Sequence, residues 1–147
     1  MTYAECTLGN HVYYARYLDL LENARGEFFR SVGQPFLRWQ DEGYLFPVVE
    51  CRLRYKAPAQ YDDVIAIELW PARLTRSQLR FDCRVLGLDG GLLVAASTEH
   101  LCMNLESKPR RIPAELAAAL ERYVRSTDGG IEQAKSSKLE TQNKLQT

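Results

Sequence analysis

The segment from His11 to Val32 repeats its apolar residues at helical spacing. Tyr14, Leu18, Leu21, Phe28 and Val32 form one stripe, with Tyr17, Ala24 and Phe29 beside it. Arg16, Asp19, Asn23 and Arg30 lie mostly on the opposite side, and Gly33 and Pro35 end the segment. Before it, MTYAECT alternates like a short strand, with Tyr3, Glu5 and Thr7 on one face, and Gly9-Asn10 breaks that strand. After it, PFLRWQDEG reads as a linker with one helical turn.

Four runs with strand character follow. YLFPVVECRLRYKA carries Pro47 at its start, which argues for an edge or a bulge there. DDVIAIELWPARLT is interrupted by Pro71, again the mark of a bend. SQLRFDCRVLGL sets Leu79, Phe81, Cys83 and Val85 against Gln78, Arg80, Asp82 and Arg84. The turn signal LDGG joins it to LLVAASTEHLCMN. PAELAAALERYVR is a second helix opened by proline in its first turn.

A strand, one long helix with a single greasy stripe and then a meander of strands predict an α+β fold, with a sheet wrapped around the helix. Strand and helix do not alternate, so a doubly wound nucleotide-binding fold is disfavoured. We divide the chain into a domain over 1–125 and a polar tail over 126–147. The tail has no aromatic residue and is expected to be mobile, with at most transient helix.

Composition narrows the function classes. The 147 residues include nineteen basic and nineteen acidic side chains, so no net charge draws the chain to nucleic acid or an anionic membrane. No apolar run is long enough to cross a membrane, and the first residues lack the form of a signal peptide, which suggests a cytoplasmic protein. Cys6, Cys51, Cys83 and Cys102 are too far apart for a C-x-x-C pair, and His11 and His100 are the only histidines. No metal site is expected from that set. Cys102 near His100 raises a nucleophile reading, which spacing alone does not support.

Two features remain. A helix entry exposes backbone N–H groups that can stabilise an oxyanion. This makes the Tyr14 amide a candidate donor, with Thr7 and Glu5 as candidates to orient or activate water; on spacing alone a solvated edge Glu5 and a helix-entry Thr7 rank ahead. Arg25 falls on the apolar face of the helix, where a guanidinium must find a carboxylate, a backbone carbonyl of a neighbouring strand or a substrate; structural anchoring ranks first among its roles. Gly26 beside it costs about 1 kcal/mol relative to alanine and suggests close packing on another backbone. Arg73, Arg76, Lys108, Arg110 and Arg111 cluster near strand ends and suit a phosphate-bearing ligand.

TLGNHVYYARYLDLLENARGEFFR, with Val12, Tyr17, Glu22, Ala24 and Arg25 in register, resembles the helix-entry segment of hotdog-fold thioesterases of the 4-hydroxybenzoyl-CoA thioesterase group. YKAPAQYDDVIAIELWPARLTRSQLRFDCRVL and KPRRIP resemble later segments of the same family, over residues 3–125 in all. The resemblance implies a hotdog fold, a long central helix wrapped by a curved antiparallel sheet with a C-terminal helix. It implies homodimers or homotetramers with sites between subunits, and an acyl-CoA or acyl-carrier-protein thioester as substrate. No metal or redox cofactor is implied, coenzyme A entering as part of the substrate.

The family's catalytic aspartate falls on Thr7, its earlier aspartate on Glu5, its glycine on Asn10 and the histidine of some members on Tyr14. Thioesterases paired with enediyne polyketide synthases are locally similar and also lack the acid. The resemblance thus implies catalysis through Thr7, Glu5, Tyr14 and Arg25, with Asn10, His11, Tyr17, Arg76, Lys108 and Arg110 contacting substrate. The alternative is a hotdog module that binds acyl thioesters without hydrolysing them. A hotdog dehydratase or hydratase ranks last, because Tyr14 stands where a histidine would be needed.

Overall fold

The computed structural model describes residues 14–60 and 63–125, together with the backbone of 6–7, 11–12 and 141–144. A hairpin of β1 (Cys6–Thr7) and β2 (His11–Val12) precedes helix α1 (Arg16–Ser31) and the short α2 (Phe36–Asp41). Strands β3 (Val48–Tyr55), β4 (Val64–Leu74), β5 (Gln78–Leu86) and β6 (Leu92–Leu101) follow, then α3 (Ala114–Glu121) and β7 (Thr141–Lys144). The main sheet is antiparallel in the order β3-β6-β5-β4-β7.

The sheet bends where register slips, between Val48 and Glu50, between Pro71 and Arg73, and between Val85 and Leu86. Two of these breaks fall at or next to the prolines, which cannot donate to the ladder. The resulting curve wraps α1. Leu20, Leu21, Ala24, Phe28 and Phe29 pack with Ile65, Ile67, Leu69, Leu79, Phe81, Cys83 and Val85 in one buried cluster. Phe81 lies edge-on to both Phe28 and Phe29, with ring centroids 5.5 and 5.7 Å away. Leu116 and Leu120 of α3 close the same cluster.

Three expectations change. His11 and Val12 are strand, and α1 begins at Arg16 after an Ala15 N-cap, so pairing with β1 overrides the helical period there. The buried stripe is centred on Tyr17, Leu21, Ala24 and Phe28, while Tyr14 and Leu18 are 58% and 44% exposed. Thr141–Lys144 is extended and pairs with Val64–Ile67, so those four residues of the tail are strand. Gly33 ends α1 as expected: it has φ +74° and is followed by a Gln34 N–H bond to the Phe29 carbonyl at 2.8 Å. The LDGG turn also forms, with Gly90 at φ +83° and Asp89 Oδ1 accepting the Gly91 N–H.

Candidate functional site

The β1–β2 register sets Thr7 opposite His11, a few residues before α1. Glu5 and Asn10 lie outside the described residues, and Thr7 and His11 are described by their backbone alone. Tyr14 precedes the Ala15 cap, so the first-turn amides of α1 begin at Arg16 rather than at Tyr14. The Tyr14 carbonyl accepts the Tyr55 hydroxyl at 2.9 Å, which ties the helix entry to the end of β3. Tyr17 is buried, with its ring 5.7 Å from that of Tyr55, and burial pushes its phenol above the ordinary value. Tyr14, Tyr17, Tyr55, Lys56, Ala57 and Pro58 enclose a cleft of about 300 Å³ at this end.

A second cleft, of about 370 Å³, opens further along α1. Glu22, Arg25 and Gly26 form one wall; Phe36 and Gln40 of α2, Tyr44–Phe46 and His100 complete it. Arg25 is only 8% exposed, as its place in the sequence suggested. Its Nη1 donates to Thr98 Oγ1 at 3.4 Å. His100 Nδ1 lies 3.1 Å from the Phe46 carbonyl, and Nε2 lies 3.1 Å from Thr98 Oγ1. A carbonyl can only accept, so Nδ1 carries the proton, and the Thr98 hydroxyl donates to Nε2 while accepting from Arg25. Burial, helped by the charge of Arg25, pushes His100 down to about 4, so its ring is neutral at pH 7.

Gly26 has a different reason from the close packing expected. A Cβ there would meet only the Arg30 guanidinium, at 3.7 Å. Its lack of a side chain instead leaves space in the cleft wall. His100 makes no bond to Cys102, whose thiol burial raises to about 11, which leaves the cysteine-nucleophile reading without geometry.

The basic residues gather at the far end of the sheet. The Ile112 N–H bonds the Arg76 carbonyl at 2.8 Å, the Arg110 N–H bonds that of Cys102 at 2.8 Å, and Asn104 Oδ1 accepts the Lys108 N–H at 3.0 Å. The Arg110 guanidinium stacks 3.7 Å from the Tyr44 ring centroid, at the mouth of the Arg25 cleft. Arg76, Lys108 and Arg110 are exposed. Within one protomer they lie at the end of the sheet where β4 turns into β5, opposite the end at which Tyr55 of β3 meets Tyr14.

Sequence reasoning does not reach Thr98, Glu22, Tyr44 and Phe46 as a site, and it weighs His100 only beside Cys102. One signal was available: Thr98 and His100 share the inward face of β6 with Ala96, at positions that otherwise demand apolar side chains.

A long helix held in a curved antiparallel sheet, with clefts along its flank, defines the hotdog architecture. The chain belongs to the thioesterase-like superfamily, whose family model matches residues 2–120. It is 34% identical to the hypothetical protein TT1821 from Thermus thermophilus, superposing with a TM-score of 0.77 over 84% of this chain and 94% of that one. Over 117 residues it is 29% identical to the acyl-CoA thioester hydrolase YbgC of Escherichia coli O6:H1, covering 79% of this chain and 87% of the relative. The DHNA-CoA thioesterase of Staphylococcus aureus shares the fold at 21% identity and TM-score 0.77, over 83% and 85% of the two chains.

Proposed function

We propose that this protein hydrolyses acyl-CoA thioesters to the free acid and coenzyme A. The observation that supports the reading is the fold of a thioesterase-like chain with a cleft lined by Tyr14, Tyr17 and Tyr55 at the entry to its long helix. Relatedness to YbgC, named for acyl-CoA thioester hydrolysis, supports the reaction class.

In this reading the first-turn amides of α1 stabilise the tetrahedral oxyanion, an effect worth several kcal/mol in a water-poor site. Thr7 positions the attacking water, with Glu5 as the acid–base partner in place of the family's aspartate. Tyr17 and Tyr55 hold the helix entry in place, and Arg25 supports α1 through Thr98. The chemistry calls for no metal, and coenzyme A enters only as substrate.

Arg76, Lys108 and Arg110 then take the pantetheine phosphates, which requires a second protomer. Among the described residues β3 is an edge strand, with Val48, Val49 and Tyr55 exposed along it. An antiparallel two-fold pairing of β3 edges would bring the basic end of one protomer toward the helix entry of its partner. An acyl carrier protein, which presents the same pantetheine arm, is the other donor that this site would accept.

The test is steady-state thiol release from short, long and aromatic acyl-CoAs, with wild type beside Thr7→Ala. Turnover that falls at least tenfold in the variant, without loss of folding, is the expected result. Tight binding with no turnover on any ester, carrier-bound esters included, would replace the hydrolase with the binding module.

A further inference from the structure

We propose that the cleft over Arg25 receives the far end of the acyl group, and that Arg25 selects acyl chains ending in a carboxylate. The inference rests on the acyl-thioester reading above, and three observations at this cleft carry it.

First, Arg25 is a buried cation whose electrostatic partners among the described residues include one carboxylate, the exposed Glu22. Among the described residues no carboxylate lies within ion-pair distance of it, and its one hydrogen bond is the 3.4 Å contact to Thr98. Cys51 and Cys83 are close enough to interact with it, but burial raises both thiols, Cys83 to about 12, so they stay protonated and bring no charge. Glu22 is exposed at the cleft wall, where solvent screens its attraction. A guanidinium carries several N–H donors in a planar fork that matches a carboxylate, and among the described residues one hydroxyl engages one of those donors.

Second, the partners that might have quenched Arg25 are committed elsewhere. His100 donates to Phe46 and accepts from Thr98, so it presents no acceptor to Arg25. Third, the cleft has room beside the charge. Gly26 removes a side chain from the same wall, and Phe36, Tyr44, Leu45 and Phe46 supply apolar surface suited to an acyl chain, beside the polar Gln40 and His100. The volume lies within the range that houses small ligands.

The test compares thioether analogues that cannot be hydrolysed: S-alkyl-CoA against S-(ω-carboxyalkyl)-CoA of matched length, over a series of lengths. Binding to the full chain is measured by calorimetry, in wild type and in Arg25→Met, which keeps the volume and removes the buried charge. Wild type is expected to bind the carboxylate-ended analogue about tenfold or more tightly at the best-fitting length, the span of a charge-assisted hydrogen bond. In Arg25→Met the ratio should fall to one or below, and Arg25→Lys should keep part of it.

Equal affinities at every length, no binding by either analogue, or a preference that survives Arg25→Met would each overturn the proposal. Because the readout is binding, absent hydrolysis of the matching esters would count against the hydrolase reading alone.

Discussion

His100 makes stability depend on pH in a calculable way. Its ordinary value is 6.5 and burial lowers it to about 4 in the folded protein. Between those values the unfolded chain binds a proton that the folded chain refuses, so stability rises with pH across that window. The contribution is fully present above the unfolded value and is lost as pH falls toward the folded one. Each pH unit of difference is worth about 1.4 kcal/mol, so the whole window amounts to about 3 kcal/mol, of which about 2 kcal/mol is gone by pH 5.

The assay is urea unfolding at pH 7, 6 and 5 and fixed protein concentration, comparing wild type with His100→Asn. The amide keeps a donor for the Phe46 carbonyl and does not titrate in this range. Carboxylates contribute alike to both proteins, so the difference between the two slopes isolates the imidazole. The variant starts lower at pH 7 and should lose about 2 kcal/mol less than wild type on going to pH 5. Parallel pH dependences would refute the reasoning, since they would mean that the ring already accepts a proton in the folded state.

Two further predictions concern other parts of the fold. Gly26→Ala should raise stability by up to about 1 kcal/mol, because its Cβ meets only the flexible end of Arg30, while narrowing the cleft; thermal unfolding reads the first effect and the acyl-chain profile of binding the second. On the outer face of the sheet Arg84 holds Glu68 at 2.6 and 3.0 Å with both side chains largely buried, so Glu68→Ala should cost about 3 kcal/mol. Replacing both residues with apolar ones of similar volume should recover much of that loss, as judged by urea midpoints.

Much of the fold was legible because its signals are local. Leu79, Phe81, Cys83 and Val85 alternate in sequence and are all buried on one face of β5. Pro47 and Pro71 lack an N–H and sit at or next to breaks in the ladder. Gly33 and the LDGG turn supply positive φ where the chain reverses. Arg25 was legible for the same reason, since helical spacing alone carries it to the inner side of α1.

The errors share a cause as well. His11 and Val12 fit the helical period, yet their partners Thr7 and Cys6 draw them into a hairpin. Tyr14 and Leu18 look like core from spacing, but the sheet meets α1 along Tyr17, Leu21 and Phe28 and leaves them outside. Gly26 looks like a packing glycine from the helix alone, because the cleft beside it joins segments far apart in the chain.

By itself, then, the sequence determined the elements, their order and the inward arginine, since periodicity, proline, glycine and turn chemistry act over a few residues. Only the tertiary structure decided which face of α1 is covered, which groups surround Arg25 and where the basic loop lies. Thr98 bonds Arg25 from β6, and His100 of β6 with Tyr44 and Phe46 of the loop before β3 share its cleft. The basic residues that sequence placed near strand ends prove to stand at the opposite end of the sheet from the helix entry. Those relations depend on strand order and on the curvature of the sheet, and no short-range pattern encodes either.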